Sequence, residues 1–355
     1  MTYVYLKRGR WYAGVKSRGV ARQVALGRGE GECDKAGALA LALEIDAQQE
    51  PLTVADYAPR WLDHRRERGV RSYHDDATRI KLHVLPSIGG IPLTELRLRE
   101  LRAMVDAWRG KLAPRTQWTV YGLVKQLLRS ACDDEIIQAS PCGTGRSVGL
   151  QPKRDADPAW RVRAVYSRRD VELLLGDAIP PRWRAYYALL FLAGLRVGEA
   201  SALRWDDYDA ITQPLGRLTV SRSWDSNHGE MKTTKTGVAR IVPVHPVLRG
   251  RLKAWGVSSQ GGDSLIVPGK DGQCLDRREV YRMSRRHMVW LGIEPRRVHD
   301  ARRTFVSLCR ADGAQPDILQ LVSHGPSRSM LDTYTTIPWA KLCEEVAKLK
   351  IEVKQ

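Results

Sequence analysis

The stretch VHDARRTFVSLCRADGAQPDILQLVSHGPSRSMLDTYTTI, residues 298–337, decides how the rest of this 355-residue chain is understood. Val298, Phe305, Val306 and Leu308 form an apolar stripe after a start at Asp300, and Gly313 is placed to end that helix. Pro316 and Asp317 open a second helix whose Ile318, Leu319, Leu321 and Val322 face a core. His299 and Arg302 are three residues apart and share a helix face. His324 sits at the exit of the second helix, before Gly325-Pro326. Ser327 can cap a last short helix ending near Tyr334. The polar residues that do not fit the stripes are His299, Arg302, His324 and Tyr334. Such a set can grip a phosphate and attack it.

Each residue also has an ordinary reading. A histidine at a helix end is most often a cap or a satisfied core group. Arg302 and Arg303 suit a solvated face, and a single tyrosine suits packing. The case for chemistry rests on the combination and on the rest of the chain.

The bulk numbers narrow the class. A chain of 355 residues exceeds one compact domain, so two or three are expected. Lys plus Arg number 58 against 40 Asp plus Glu, a formal +18. That balance points to a polyanionic partner, most often nucleic acid, ahead of a membrane surface. No apolar run reaches the roughly 18 residues of a spanning helix. The first residues lack a signal-peptide core, so a cytosolic location is expected. The six cysteines are scattered without a paired CxxC, which favours free thiols over zinc ligands.

In chain order, residues 1–50 read as a basic β unit followed by a helix from Asp34 to Gln48. Val4-Tyr5-Leu6, Trp11 to Val15 and Gln23 to Leu26 are short strands broken at Gly9-Arg10 and Arg18-Gly19. The first 28 residues hold seven Lys or Arg and no acid. Lys7, Arg8, Arg10, Lys16 and Arg18 therefore suit a sheet laid against phosphates. Residues 53–145 read as a four-helix bundle. Thr53 caps its first helix, a second runs from Ser72 to Val84 and stops at Pro86, Thr94 caps a third, and Pro114 opens a fourth. Arg65, Arg66, Arg79 and Lys81 line its first half as a surface for the DNA backbone. Residues 146–164 read as a flexible basic linker. Residues 165–355 form the last domain. Ser167 caps a helix, Pro181 opens a long apolar helix, residues 218–220 and 237–244 are strands, and Asp276 to Trp290 is helical. A tail from Trp339 to Val353 is amphipathic and suits packing on its own domain or on a neighbour's; the sequence does not choose.

Two more segments complete the constellation. Gly194-Leu195-Arg196-Val197-Gly198-Glu199 places an arginine at a glycine-flanked turn between apolar helices, with Glu199 spaced to orient it. Lys232-Thr-Thr-Lys235-Thr-Gly237 reads as a hairpin tip that can carry a lysine into a groove.

The segments GLRVGEASALRW, KTTKTGVARIVPV and HDARRTF, the late His324 and a tyrosine ten residues after it resemble the tyrosine recombinase (phage integrase) family. The resemblance spans about residues 165–340, in the family's order and with family-like gaps. It implies a multidomain, mainly α fold with small antiparallel sheets. The helical middle is similar to the family's core-site-binding domain, and residues 1–50 are similar, more weakly, to arm-site-binding domains. The resemblance makes Tyr334 the nucleophile, Arg196 and Arg302 phosphate clamps, and His299 and His324 their companions. Lys235 takes the strand-tip lysine position, with Lys232 the weaker stand-in, and Glu199 the supporting acidic position. One departure stands out: the usual Leu-Gly-His reads Val322-Ser323-His324.

The chemistry explains these residue types. A phosphodiester attacked by a phenol gains negative charge as it becomes pentavalent, and fixed donors stabilise that charge. Arginine suits the task through its planar fork and permanent charge. A lysine can protonate the leaving 5′ oxygen, an effect of about 10²–10⁴. The covalent 3′-phosphotyrosine conserves bond energy, so no ATP, cofactor or metal is expected. The resemblance further implies a homotetramer on synapsed duplexes, with a DNA-bending protein or directionality factor as possible accessories. An integrase of a phage or other mobile element leads. A dimer-resolution or transposon resolvase, or a catalytically silent DNA-binding relic, are the alternatives. A basic clamp of this kind is expected to lose affinity steeply with salt, by about 0.9 log units per log unit for each phosphate neutralised. Fluorescence-anisotropy titrations across a salt series check this; a slope equivalent to one or two contacts would argue against a clamp.

Overall fold

A computed structural model of the chain describes residues 3–17, 20–29, 31–47, 51–150, 163–234, 237–256, 263–325 and 337–353; at 15–17, 20–22 and 45–47 it gives the backbone alone. These residues fall into two compact units, Met1–Ala156 and Asp157–Gln355.

The first unit opens with an antiparallel sheet of β1 (Tyr3–Lys7), β2 (Arg10–Ser17) and β3 (Val20–Gly29), in that order. Alternation along the strands turns Val4, Trp11, Ala13, Val24 and Leu26 toward Ala38 and Ala42 of α1 (Lys35–Ala47), which together make a small core. The Trp11 indole donates to the Cys33 carbonyl at 2.9 Å and ties sheet to helix. Tyr5 and Tyr12 are cross-strand partners with stacked rings, 5.8 Å apart.

The bundle follows as α2 (Val54–Glu67), α3 (Tyr73–His83), α4 (Leu85–Ile88), α5 (Leu98–Ala107) and α6 (Pro114–Asp133). Thr53 caps α2 as its sequence predicts: its hydroxyl accepts from the Asp56 N–H at 3.2 Å, and Asp56 accepts from the Thr53 N–H at 3.1 Å. Three expectations shift. Thr94 is not a cap; α5 starts at Leu98, where Glu100 accepts the Arg97 N–H at 2.9 Å. Pro86 does not merely stop α3 but sits in the first turn of α4, where a missing N–H costs nothing. The linker expected over 146–164 starts too early, because Val148 and Leu150 are buried with Leu127 and Leu128 in the bundle core. Residues 151–162 lie outside the described residues.

In the second unit, Ser167 caps α7 (Arg168–Leu175) through reciprocal bonds with Asp170. The centre is α8 (Pro181–Leu192), buried on all sides from Ala185 to Leu192 as an all-apolar helix must be. After α9 (Val197–Ala202), the chain builds a three-stranded sheet of β4 (Tyr208–Asp209), β5 (Arg217–Val220) and β8 (Arg240–Pro243). Between β5 and β8 comes a hairpin whose turn, at 226–229, lies upstream of the tip expected at 232–237: β6 (Arg222–Asp225) with β7 (Glu230–Thr233). It draws Lys232 into a strand opposite Ser223 rather than onto a tip. Helices α10 (Pro246–Gly256), α11 (Arg277–Trp290), α12 (Asp300–Ala311), α13 (Pro316–His324) and α14 (Trp339–Ala347) complete the unit.

The tail docks on its own unit: Leu342, Val346, Leu349 and Ile351 join the same core as α8 and α12. Buried Glu345 accepts the Gln315 N–H at 2.8 Å and pairs with Lys341 and Lys348. All six cysteines are free thiols. No described helix is long and apolar enough to cross a membrane.

Phe305 is fully buried where α12 meets α8. Phe305→Ala is expected to cost about 3–5 kcal/mol. Urea unfolding of the variant would show it as a lower midpoint at unchanged slope.

Candidate active site

The site grows from one turn. Helix α8 ends at Leu192, Ala193 follows, and Gly194 adopts φ +62°. A Cβ there would lie 2.4 Å from the Phe305 ring, so glycine is required on two counts. Arg196 then stands at the N-terminus of α9, and Glu199, three residues on, turns back to accept the Arg196 N–H at 2.9 Å. Gly198 lets β6 approach: a Cβ on it would meet the Trp224 carbonyl at 2.5 Å.

Glu199 is 1% exposed and holds three guanidinium groups. Arg196 Nη1 donates to Oε1 at 2.7 Å. Arg240, the first residue of β8, makes a forked pair, Nη1 to Oε1 at 2.9 Å and Nη2 to Oε2 at 2.7 Å. Arg302 Nη1 lies 3.8 Å from Oε2. Burial alone would raise the Glu199 carboxyl, but the Arg240 hydrogen bonds and charge, then Arg196, outweigh it and hold it at about 2. Three cations around one anion leave an excess of two positive charges.

Arg302 is buried, not part of a solvated face. It donates to the Gly194 carbonyl at 2.7 Å and to the Ser323 carbonyl. Arg240 Nε donates to the Val322 carbonyl at 3.2 Å. Two arginines thus occupy the last carbonyls of α13, where the helix presents partial negative charge and unpaired acceptors. Burial, and then the Arg196 charge, disfavour the Arg302 cation. An anion entering beside it would offset that cost.

The two histidines flank this cluster. His299 directly precedes α12; although it is exposed, packing about its ring, then the Arg302 charge, lower its proton affinity. His324 ends α13; although it too is exposed, packing about its ring, then Arg302, Arg196 and Arg240, push it down to about 4. Both are neutral at neutral pH. The structure therefore brings Arg196, Glu199, Arg302 and His324 together, with His299 within the field of the same arginines. Lys235 and Tyr334 lie outside the described residues. Lys232 does not reach into a groove: its ammonium pairs with Asp225 at 2.6 Å and Glu230 at 2.7 Å. Asp225, His228 and Glu230 are the one group among the described residues spaced to ligate a metal ion, and Lys232 already supplies its cation.

The basic residues proposed for DNA divide. Lys7, Arg8, Arg10 and Lys81 are exposed. Arg18 lies outside the described residues, as does the side chain of Lys16. Arg65 instead pairs with buried Asp76 at 2.6 Å and bonds Gln126 at 2.8 Å. Arg79 pairs with the same aspartate at 3.2 Å, and Arg66 with Asp63 at 3.1 Å. Arg65 thereby ties α2 to α3 and α6 and Arg79 helps neutralise Asp76, whereas the Arg66 pair is an exposed one within α2 that leaves Arg66 at the surface. Sequence reasoning passed over α11, whose Val280, Ser284, His287 and Met288 face the core. Its opposite face exposes Arg277, Arg278, Arg282, Arg285 and Arg286, a helical stripe that the 3.6-residue period makes readable. Arg240 was missed as well, because its partner lies 41 residues upstream.

Arg240→Ala leaves Glu199 short of its main partner and is expected to cost about 3–5 kcal/mol at neutral pH. Because the folded carboxyl sits below its ordinary value, the pair stabilises above about pH 4.5 and that contribution fades as pH falls toward 2. Urea midpoints of wild type and variant should converge across that window.

Comparison with known proteins places this geometry. The family model described as the phage integrase family matches residues 170–338. A tyrosine recombinase XerC of Xanthomonas campestris is 30% identical over 273 residues, covering 73% of this chain and 77% of that protein. An integrase of Mycobacterium phage FRAT1 is 22% identical over 281 residues, 76% and 80% of the two chains. Among solved structures, the Tn1549 transposon integrase in complex with circular intermediate DNA aligns over 82% of this chain and 98% of that one, with a TM-score of 0.61 at 16% identity. A lambda integrase tetramer bound to a Holliday junction aligns over 92% and 96%, with a TM-score of 0.58 at 15% identity. The chain belongs to the phage integrase family and is a tyrosine-type site-specific recombinase.

Proposed function

We propose that this recombinase cuts and rejoins DNA strands at a phosphate seated on Arg196 and Arg302, with Tyr334 as the attacking nucleophile. One observation carries the reading: buried Glu199 fixes guanidinium groups around a spot left with two uncompensated positive charges. A phosphodiester that gains charge on attack fits that excess better as it approaches the transition state than before, which is what catalysis requires. His299 and His324, neutral beside the arginines, are placed to handle protons. Lys235 is assigned to the leaving 5′ oxygen. Tyr334, with an ordinary phenol value of about 10, needs both help in losing its proton and positive charge near its oxygen.

The partner is double-stranded DNA. Support comes from the net charge of +18, the exposed arginines of α11, and the DNA-bound relatives. Residues 1–50 are assigned to arm-type sites, 53–145 to core-type sites and 165–355 to catalysis. Residues 151–162, which include the boundary between the two compact units at Ala156 and Asp157, remain assigned as the linker. Assembly as a tetramer on paired duplexes and integration or excision of a mobile element complete the reading, supported by the integrase relatives. Accessory bending or directionality factors belong to the same proposal.

Tyr334→Phe is expected to abolish a covalent protein–DNA adduct on a nicked cognate site while leaving binding intact. Arg302→Ala should slow adduct formation by about 10²–10³. A denaturing gel with labelled DNA reads both. Adduct retained in Tyr334→Phe would move the nucleophile elsewhere, and no adduct from the wild type on its cognate site would favour a silent DNA-binding relic.

A further inference from the structure

Ser323 stands where the family's segment carries glycine, and its hydroxyl is not idle. It is 1% exposed at the last turn of α13. Its Oγ lies 2.7 Å from the Leu319 carbonyl, one helical turn back, and 2.8 Å from His324 Nδ1. A second carbonyl, that of Gln320, is 3.5 Å away. A serine hydroxyl has one hydrogen to give and lone pairs with which to accept. A carbonyl can only accept. If the hydrogen pointed at His324, the Oγ and Leu319 oxygens would face each other at 2.7 Å with no proton between them, a repulsive contact in a buried place. The hydrogen therefore goes to Leu319, and Oγ accepts from the Nδ1–H of His324.

We infer that Ser323 is a positioning residue that fixes His324 in its Nδ1–H form, which leaves Nε2 as the ring's hydrogen-bond acceptor. Which ring nitrogen carries the proton of a neutral histidine is set by the bond the other makes, and here that bond is supplied by the neighbouring side chain. The ring itself is anchored indirectly. Arg240 holds the Val322 carbonyl and Arg302 holds the Ser323 carbonyl, so the turn bearing His324 is pinned by the same two arginines that surround Glu199. A neutral Nδ1–H imidazole presents Nε2 as an acceptor and cannot donate a hydrogen bond through it.

The inference borrows from the proposed function only the place of His324 beside the arginines, and its test needs no DNA, so a wrong reaction and a wrong tautomer are told apart. The full chain is labelled with [¹⁵N]histidine, which gives eight ring systems, and His324 is assigned by the signals lost in His324→Gln. Two-bond proton–nitrogen correlation at neutral pH is expected to show Nδ1 as the protonated nitrogen and Nε2 as the bare one. In Ser323→Ala, and independently in Ser323→Gly, the pattern should shift toward Nε2–H, the form free imidazole side chains prefer. The other seven rings serve as the check that each variant is folded. An Nε2–H pattern in the wild type, or an Nδ1–H pattern that survives in a folded variant, would overturn the assignment.

Discussion

A single buried carboxylate organises the second unit. Glu199 sits where α9 begins, and every guanidinium of the site is oriented by it or by a helix end beside it. Taking a carboxylate out of water is costly unless it is paired and hydrogen-bonded. Here the cost is met by Arg240, which closes both oxygens in a fork from a different strand. Arg196 is held through its backbone N–H and its side chain. Because Arg240 is spent on Glu199 and on the Val322 carbonyl, the positive excess falls to Arg196 and Arg302. That division of labour separates a structural arginine from the two proposed to seat the phosphate.

The same cluster links elements far apart in sequence. Arg240 joins β8 to α9 and to the end of α13, while Arg302 joins α12 to the ends of α8 and α13. The helix ends contribute carbonyls that nothing within their own helices can satisfy. Cations at such ends are favoured twice, by hydrogen bonding and by the helix dipole. A site built this way is rigid before substrate arrives, which is the condition for electrostatic stabilisation without reorganisation. Packing about each ring, and after it the charge of the surrounding arginines, lowers the proton affinity of both histidines.

Much of this was legible in the residues. The glycine-flanked Arg196 with Glu199 three positions on is a local pattern, and local patterns survive in a linear string. The capping pairs Thr53/Asp56 and Ser167/Asp170 were readable for the same reason. Arg240 was not, since nothing near it in sequence announces a buried carboxylate 41 residues away. The charge density around Arg65 and Arg79 misled in part: composition cannot tell a cation facing solvent from one spent on Asp76. The exposed arginines of α11 carried the better signal, because their spacing, not their number, separates them from the core face. Ser323 was noticed only as a departure from the usual glycine; its role emerges once the backbone of α13 shows which acceptors its hydroxyl can reach.

The account turns on Arg196 and Arg302 being set by Glu199 to seat one phosphate. Its most direct test is a crystal structure of the full chain bound to a duplex that carries its cleavage site. The account predicts both guanidinium groups hydrogen-bonded to non-bridging oxygens of the same phosphorus, with the Arg240–Glu199 fork intact behind them. Arginines bound to different phosphates, or a Glu199 released from Arg240 when DNA binds, would contradict it.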